Sequence, residues 1–338
     1  MKAAVFYGKE DLRVEELPIP EVKADEALVR VHACGICGTD AHIFCGDEGA
    51  AQTPPGTVLG HEFSGEIVAV ASGVKGFKEG DRVCIDPNKL CNECYYCKSG
   101  VGHFCEHMIG IGTTVNGGFA EYCAVPASQL YRFPDTLSYE AAAMTEPVSC
   151  CLHGIDLCNI RPGSTVAVIG CGMIGLLMIQ LARLSGASTI IALEPIPEKR
   201  QMALSLGADY AFDSTAEDFK AQIAKVTDRI ETVIECVGRK VTVEMAVDIA
   251  GNASTVMLFG LTAPGDEVAV KPFTLFKKEI TLKASYINPY TFSRALELIG
   301  SGRLDVTSMV YAKRPVEELP GILADARKRA AGKYIITL

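Results

Sequence analysis

Two patterns of hydrophobic and polar positions divide the chain. Over about the first 145 residues, short apolar runs rich in Val, Ile and aromatic residues are separated by Gly, Pro and Asp, which is typical of strands joined by turns. Four such runs are EALVRVHACG, EFSGEIVAV, GDRVCI and FAEYCAV. The N-terminal part is therefore predicted to be rich in β-structure.

From about residue 165 onwards, strand-like runs alternate with longer helix-like runs. TVAVIG precedes MIGLLMIQLARLSG, STIIALE precedes PEKRQMALSLG, and ETVIECVG precedes KVTVEMAVDIAG; STVMLFG and EITLKASY are further strand-like runs. This alternation predicts an α/β fold with a parallel sheet covered by helices. The tail contains one helix-like run, TFSRALELIGSG, and ends in the strand-like KYIITL.

Composition and charge narrow the class of protein. The chain has 338 residues, of which 49% are hydrophobic and 22% charged, which is enough for two domains with a sizeable core. The net charge of -9 argues against binding to nucleic acid or to an anionic membrane surface, since both need clustered Lys and Arg. We therefore expect a small-molecule partner.

One uncharged segment, STVAVIGCGMIGLLMIQLA, is long enough to resemble a membrane span. Its three glycines favour a buried strand, a tight turn and a buried helix instead. The N-terminus carries charges too early for a signal peptide, so we expect a cytoplasmic protein. Its fourteen cysteines are then expected to be reduced, and the clustered ones to bind metal.

The segment VIGCGMIG predicts a dinucleotide site. It follows a strand-like run and opens a helix-like run, and it places Gly170, Gly172 and Gly175 in the G-x-G-x-x-G pattern. The first glycine permits a tight turn, the second permits close approach of a pyrophosphate, and the third permits close helix–strand packing. Met173 and Ile174, which lie between the last two glycines, are included in the site because the helix N-terminus faces the phosphates.

A carboxylate after the next strand indicates which dinucleotide binds. Glu194 lies nineteen residues after Gly175, where its side chain can accept hydrogen bonds from the adenosine ribose and would repel a 2′-phosphate. NAD is therefore expected rather than NADP. Arg200 either covers the adenine or is a solvated helix charge, and Val237 completes the predicted cofactor set.

The stretch CNECYYCKSGVGHFC predicts a structural zinc site. It contains Cys91, Cys94, Cys97 and Cys105 in fifteen residues. Four thiolates fill a tetrahedral zinc ion completely and leave no position for substrate. The alternative, four free thiols in a loop, is disfavoured by this spacing.

A second set of potential ligands is scattered over three segments. CGICGTDAHIF, GHEFSGE and TEPVSC contain thiol, imidazole, hydroxyl and carboxylate groups at Cys37, Thr39, His42, His61, Glu62 and Glu146. GTDAHIF reads as the start of a helix, so Thr39 and His42, three residues apart, are predicted to share a face.

Taken in order, GICGTDAH, GHEFSGEIVAVASGV, the four-cysteine stretch, GGFAEY and GCGMIG resemble the zinc-dependent medium-chain alcohol dehydrogenases nearly end to end. MTEPVSCCLHG is similar to the sorbitol or polyol dehydrogenase branch. The resemblance implies a GroES-like catalytic domain over residues 1–150, a Rossmann domain over 151–287, and a segment 288–338 that returns to the catalytic domain. The four-cysteine stretch, residues 91–105, would be a structural zinc lobe of the catalytic domain. It also implies a homo-oligomer, either a tetramer or a dimer.

The resemblance further implies two zinc ions per chain and roles for the scattered residues. Cys37 and His61 would ligate a catalytic zinc ion. Of Glu62 and Glu146, one would be an inner-sphere ligand and the other an exchanging or outer carboxylate; which is which stays open. Thr39 and His42 would pass the substrate proton to water through the cofactor ribose.

The activity that this implies is transfer of a hydride between NAD and a secondary alcohol of a polyol, sugar alcohol or sugar phosphate. Zinc lowers the pKa of an alcohol, which makes the oxidation feasible near neutral pH. An alternative within enzymes is a threonine 3-dehydrogenase-like activity on an amino alcohol. Alternatives from other classes are a zinc-thiolate redox sensor and a catalytically silent NAD-binding protein.

Overall fold

A computed structural model describes residues 1–47 and 52–338, which form two compact units. One unit comprises residues 1–149 and 288–338, and the other comprises residues 150–287. The chain thus leaves the first unit, builds the second, and returns to the first.

The N-terminal part is dominated by strands, as predicted. Its strands are β1 (Lys2–Gly8), β2 (Asp11–Glu16), β3 (Glu26–Gly35), β4 (Thr57–Val58), β5 (Glu62–Val70), β6 (Arg82–Ile85), β7 (Asn88–Lys89), β8 (Ile109–Gly110), β9 (Tyr122–Pro126) and β10 (Leu130–Arg132). Its helices are α1 (Gly38–Cys45), α2 (Tyr95–Lys98), α3 (Tyr139–Ala143) and α4 (Thr145–Cys158), the last of which continues into the second unit. Short 3₁₀ turns occur at Gly102–Phe104 and Ala127–Gln129.

The second unit alternates strands and helices. Its strands are β11 (Thr165–Ile169), β12 (Thr189–Leu193), β13 (Tyr210–Phe212), β14 (Thr232–Glu235), β15 (Thr255–Leu258) and β16 (Thr281–Ala284). Its helices are α5 (Met173–Leu184), α6 (Pro197–Ser205), α7 (Phe219–Val226), α8 (Lys240–Ile249) and α9 (Pro272–Lys278). The strands pair in parallel in the order β13-β12-β11-β14-β15-β16, which is the doubly wound arrangement of a Rossmann fold.

The C-terminal segment adds α10 (Phe292–Gly300), β17 (Val310–Pro315), a 3₁₀ turn at Val316–Glu318, α11 (Leu319–Ala324), α12 (Ala326–Ala331) and β18 (Lys333–Thr337). Strand β18 pairs antiparallel with β3, so the end of the chain completes the main sheet of the first unit, ordered β10-β6-β5-β3-β18-β17. Smaller sheets are β2-β1-β4 and β7-β8. The predicted combination of a β-rich domain and a parallel α/β domain is confirmed.

Each unit has its own hydrophobic core. In the first, buried side chains from β1, β3, β5 and β6 pack with those of α11 and β18. In the second, the faces of β11, β12 and β14 pack against α7 and α8. Within the described ranges no helix is long and apolar enough to cross a membrane, and the uncharged segment forms β11, a turn and the 12-residue α5.

Candidate metal centre and cofactor loop

Helix α1 fixes the position of the Cys37 thiol. Cys37 is the N-cap of this helix and has an extended backbone conformation. Its amide donates a hydrogen bond to Oδ2 of Asp40 at 2.8 Å, which closes the first turn in the manner of a capping box. The hydrogen-bonded first turn of α1 therefore holds the Cys37 thiol in a fixed position just after the end of β3.

His61 and Glu62 come to the same place through strand pairing. Glu62 begins β5 and lies opposite Gly35, the last residue of β3. One ligand atom from each of Cys37, His61 and Glu62 falls within 4.8 Å of the other two. A register set by the sheet thus brings together side chains that are more than twenty residues apart in sequence.

Asp40 lies behind the His61 ring. Its Oδ1 is 3.5 Å from His61 Nδ1, and both side chains are almost completely buried. Burial alone would lower the pKa of His61, but the charges of Asp40 and Cys37 outweigh it and raise this pKa well above its usual value. A carboxylate in this position fixes the orientation of a ligating imidazole and increases its basicity.

Glu62 forms a buried ion pair with Lys333 of β18. The Lys333 ammonium donates to Glu62 Oε2 and also to the carbonyl oxygen of Ile36 at 2.9 Å. Burial opposes the charge on Lys333, but the negative charges of Glu62, Cys37 and Glu146 outweigh it and raise the lysine pKa. The lysine is therefore charged near neutral pH.

The cluster suits a zinc ion. A thiol, an imidazole and a carboxylate are all common zinc ligands, and three protein ligands leave a fourth position open. Glu62 Oε1 is buried and has no hydrogen-bond partner in the described part of the chain. A buried acceptor of this kind needs a partner, and a cation beside Cys37 and His61 supplies one.

Glu146, the second residue of α4, is buried but does not join the cluster within the same 4.8 Å limit. The carbonyl oxygen of Glu146 accepts a hydrogen bond from the Ser149 hydroxyl at 2.6 Å. Its charge still acts on Lys333, so its carboxylate lies near the centre. Of the two candidate carboxylates, the geometry thus places Glu62 in the cluster and Glu146 beside it.

Thr39 and His42 lie on α1, as predicted. Thr39 Oγ1 is 3.7 Å from the Cys37 thiol, and His42 Nδ1 is 3.1 Å from Oδ2 of Asp47. A cavity of about 390 Å³ is lined by Cys37 and His42 from this region and by Arg329 from α12. The hydroxyl therefore lies next to the thiol, and the imidazole faces open space.

The four predicted thiols of the lobe converge as well. The sulfur atoms of Cys91, Cys94, Cys97 and Cys105 all lie within 4.8 Å of one another, and Cys91 Sγ is 3.9 Å from Cys97 Sγ. Zinc–sulfur bonds of about 2.3 Å in a tetrahedron separate sulfur atoms by about 3.8 Å, so a single ion fits.

Backbone amides prepare these thiols for a metal. The amides of Glu93 and Cys94 both donate to Cys91 Sγ at 3.4 Å and lower the Cys91 pKa. Amides also lower the pKa of Cys94 to about 6, whereas desolvation and neighbouring thiols raise that of Cys97 to about 12. A cation shared by the four sulfur atoms would stabilise all four thiols as thiolates, which metal ligation requires.

The glycine-rich loop after β11 has the shape expected of a dinucleotide site. A Cβ at Gly175 would overlap the carbonyl oxygen of Gly170, and a Cβ at Gly170 would lie 2.5 Å from Val237 Cγ2. A Cβ at Gly172, in contrast, would meet nothing within 4 Å. Two glycines thus allow close packing, and the third leaves space at the N-terminus of α5, where Met173 and Ile174 begin the helix.

Glu194 follows β12 and is buried. Its Oε2 accepts from the Cys171 amide at 2.8 Å, and its Oε1 accepts from the Ile196 amide at 3.1 Å. Arg200 Nη1 donates to the carbonyl oxygens of Glu194 and Pro195 at 2.7 and 2.8 Å. The predicted carboxylate therefore lies directly against the glycine loop.

Two residues of the metal centre were not among the predicted site residues. Asp40 could have been found from its position three residues after Cys37, where an acidic side chain caps a helix. Lys333 gave no local signal, because it meets Glu62 only through the pairing of β18 with β3 and of β3 with β5.

Comparisons with known proteins match both parts of the chain to families of dehydrogenases. Residues 23–135 match the family model described as alcohol dehydrogenase GroES-like domain. Residues 174–301 match the model described as zinc-binding dehydrogenase. The first match covers Cys37, His61 and the lobe, and the second begins inside the glycine loop.

Individual relatives match over nearly the whole chain. Sorbitol dehydrogenase of Bacillus subtilis (strain 168) is 32% identical over 98% of this chain and 93% of its own length. D-arabitol-phosphate dehydrogenase of Enterococcus avium is 33% identical over 92% and 89%. The crystal structure of a candidate zinc-binding dehydrogenase of Sinorhizobium meliloti 1021, bound to NADP, has a TM-score of 0.95 and 36% identity, and covers 100% of this chain and 99% of its own.

Proposed function

The chain belongs to the zinc-dependent medium-chain alcohol dehydrogenase family, and we propose that it oxidises a secondary alcohol of a polyol, sugar alcohol or sugar phosphate reversibly to the ketone, with NAD as hydride acceptor. The cluster of Cys37, His61 and Glu62 carries this proposal, since it offers a metal three ligands and an open position. The polyol class is supported by the sorbitol and arabitol-phosphate dehydrogenases among the relatives.

Each residue of the centre has a distinct part in this proposal. Cys37, His61 and Glu62 would hold the zinc ion, and Glu146 would be a nearby carboxylate able to exchange with the ligands. Zinc, when bound, acts as a Lewis acid towards the alcohol oxygen. Thr39, beside the Cys37 sulfur, would take up the proton of the substrate hydroxyl while passing its own proton on through the ribose of a bound cofactor, and His42, whose side chain is 37% exposed, would release a proton to water.

We also propose a second, structural zinc ion held by Cys91, Cys94, Cys97 and Cys105. All four positions of that ion are filled by protein, so it orders the lobe and takes no part in the reaction. The hydrogen bonds from amides to Cys91 support this assignment, because they stabilise the thiolate form that a metal requires.

NAD rather than NADP is the proposed cofactor. Glu194 presents a buried carboxylate at the end of β12, where a 2′-phosphate would be repelled. Arg200 donates to two backbone carbonyls and lies 3.8 Å from Asp213, so its guanidinium is already engaged by oxygen atoms. The NADP bound to the Sinorhizobium meliloti protein makes this choice worth testing directly.

The remaining alternatives predict different behaviour. A silent NAD-binding protein has no need for a complete ligand set together with Thr39 and His42, and this chain has both. A zinc-thiolate sensor would use the lobe and would release its zinc in mild peroxide. A threonine-type enzyme would prefer an amino alcohol.

We further propose a cytoplasmic homo-oligomer, a dimer or tetramer. All fourteen cysteines are free of disulfide bonds, which fits a reducing compartment.

Strand β16 is an edge of the parallel sheet with Leu282 41% exposed, and Phe273 and Phe276 of α9 are 72% and 79% exposed. A second copy could cover this edge by antiparallel pairing about a two-fold axis. Phe276→Lys should then lower the mass measured by light scattering, whereas Tyr311→Lys should not.

The decisive experiment is a panel of polyols, sugar phosphates, simple primary alcohols and L-threonine assayed by NAD reduction with zinc-loaded protein. We expect the highest kcat/KM for a vicinal diol or polyol, because a zinc ion that expands to five-coordination can bind two neighbouring oxygens. Best activity with ethanol or benzyl alcohol would refute the polyol assignment. Best activity with L-threonine would establish the amino-alcohol alternative.

A further inference from the structure

The ion pair between Lys333 and Glu62 distinguishes the two oxygens of the carboxylate. The ammonium of Lys333 donates to Oε2, and its second hydrogen bond goes to the Ile36 carbonyl. Oε1 of the same carboxylate is buried and accepts no hydrogen bond within the residues that the structure describes. One oxygen is therefore occupied and the other is available to the cluster.

Strand geometry makes room for this arrangement. Gly35 of β3 lies between Glu62 of β5 and the start of β18, since it pairs with Glu62 on one side and with Ile335 on the other. A Cβ at Gly35 would overlap Glu62 Oε2 and lie 2.8 Å from Lys333 Cε. The ion pair therefore crosses a strand at a position that has no side chain.

We propose that Lys333 is a positioning residue that reserves Oε2 of Glu62 and leaves only Oε1 for the catalytic zinc ion. This inference rests on the proposed function, because it assumes that the cluster of Cys37, His61 and Glu62 holds that ion. A carboxylate that ligated through both oxygens would occupy the place that substrate needs. Lys333 thus keeps a position open.

The charge of Lys333 has a second effect on the same site. A buried ammonium close to Glu62 draws electron density from the carboxylate and repels the divalent cation. Both effects weaken zinc binding and increase the Lewis acidity of the ion. The lysine therefore favours reactivity at the expense of metal retention.

Replacing Lys333 should change the rate of zinc release in opposite directions, depending on whether the lysine restrains Glu62 or only supports the fold. If Lys333 only supported the fold, its replacement would loosen the cluster and speed the release of zinc. If it restrains Glu62, replacement by an uncharged side chain of similar length frees the second oxygen and slows the release.

The test uses full-length, zinc-loaded Lys333→Met protein and the rate at which the more labile zinc ion passes to a chromogenic chelator. We expect release about tenfold slower than in the wild type. In the cobalt-substituted protein, the visible d–d absorption should weaken as the coordination number rises. Lys278→Met is the matched control, because that lysine also donates to a backbone carbonyl, that of Ala250, but lies outside the cluster.

Lys333→Arg gives an independent test in the other direction. A guanidinium forms two parallel hydrogen bonds to a carboxylate and would engage both oxygens of Glu62. Zinc release should therefore be faster than in the wild type by several fold. If Lys333→Met does not fold, this variant decides alone, and an unchanged rate overturns the proposal.

Two further measurements complete the test. Lys333→Met combined with Glu62→Gln should lose the slow release, because an amide ligates zinc through one oxygen only. The pH profile of kcat in Lys333→Met should shift to higher pH as the Lewis acidity falls. Faster release in Lys333→Met, or unchanged release in both single variants, refutes the role of Lys333.

Failure of the proposed function has a different signature. If the Lys333 variants change zinc release as expected but the wild type oxidises no polyol, the substrate class is refuted and the role of Lys333 stands. An active polyol dehydrogenase whose zinc release does not respond to Lys333 would refute only the positioning role.

Discussion

Oδ1 of Asp40 lies 3.5 Å from Nδ1 of His61, with both side chains buried at the metal centre. The charges of Asp40 and Cys37 outweigh burial and raise the His61 pKa well above its usual value in the metal-free protein. A zinc ion must displace the proton that this pKa retains. The affinity of the catalytic site for zinc should therefore fall as the pH falls and rise as the pH passes through the raised pKa.

The same pair determines how metal-free stability depends on pH. Because the folded pKa of His61 is raised, the charged imidazole stabilises the metal-free fold below its unfolded pKa of about 6.5, and this contribution is lost as the pH rises through the folded pKa. Asp40→Asn should flatten both profiles, as measured by competition with a chelator and by thermal melting. Asp47→Asn, next to His42, is the control and should leave them unchanged.

The two metal sites should respond differently to removal of one thiol. Cys37→Ala should give a folded, NAD-binding protein that contains one zinc ion and is inactive. Cys94→Ser should lower the melting temperature strongly, since structural zinc contributes about 10–16 kcal/mol to ordering a small site. Metal content, melting temperature and kcat of both variants test this pair.

Brief treatment with a chelator offers a second view of the same difference. The site with an open position should lose its ion first, with loss of activity and little change in fold, and added zinc should restore turnover. A stable, correctly assembled Cys94→Ser protein without turnover would show that the lobe takes part in the chemistry.

Cofactor preference should depend on the charge of Glu194. We expect the wild type to have a higher kcat/KM with NAD than with NADP, and Glu194→Gln to narrow the ratio by about tenfold or more. Gln removes the charge but keeps the shape and one acceptor oxygen, which can still serve the Cys171 amide, although its NH2 group cannot accept from the Ile196 amide. Glu194→Ala should narrow the ratio too and also lower thermal stability. Equal or better kcat/KM with NADP in the wild type would contradict the assignment.

Asp86 should destabilise the protein at neutral pH. Burial raises its pKa to about 6, although hydrogen bonds from the Asn88 amide and the Asn288 side chain partly oppose the shift. Because the folded pKa exceeds the unfolded value of about 3.9, the protonated carboxyl favours the fold, and this advantage is lost as the pH rises through about 6. Asp86→Asn should increase the free energy of unfolding at pH 7 by on the order of 2 kcal/mol.

The comparison for Asp86 is a carboxylate with the opposite shift. Hydrogen bonds from Arg132 and from the Lys78 amide outweigh burial at Asp81 and lower its pKa. Asp81 thus stabilises the fold above its unfolded pKa, and Asp81→Asn should lower the melting temperature at pH 7. A melting temperature for Asp86→Asn at or below that of the wild type at pH 7 would count against the effect of burial.

Local patterns in the sequence were sufficient for several elements of the fold. EALVRVHACG and EFSGEIVAV coincide with β3 and β5, because both are short runs of residues that favour strands, bounded by turn residues. Gly170, Gly172 and Gly175 were recognisable because each has a separate steric task. Several elements were not predicted individually, among them strands β1, β2, β13 and β17 and helices α3, α4, α7, α9, α11 and α12; most of them are short, and β13 and β17 carry weak apolar patterns.

The metal centre was predictable only in part. Cys37, His61 and Glu62 were found through motifs, and the structure brings them together. Sequence alone left open which carboxylate lies among the ligands, because that depends on how α4 enters the site. Lys333 was invisible for a related reason: its contact with Glu62 spans 271 residues and depends on the register of three strands.

The pairing of β18 with β3 also has a consequence for biosynthesis. Ile36 and Lys333 are 297 residues apart, and the whole second unit is translated between them. At typical synthesis rates the nascent chain would carry β3 and β5 without their C-terminal neighbour for roughly 15 to 60 s. The contiguous second unit can fold during that interval, whereas the ligand cluster acquires its lysine only after translation of β18. We therefore expect the restrained geometry of Glu62, with Oε2 held by Lys333, to form only after translation of the chain is complete, whenever the metal itself binds.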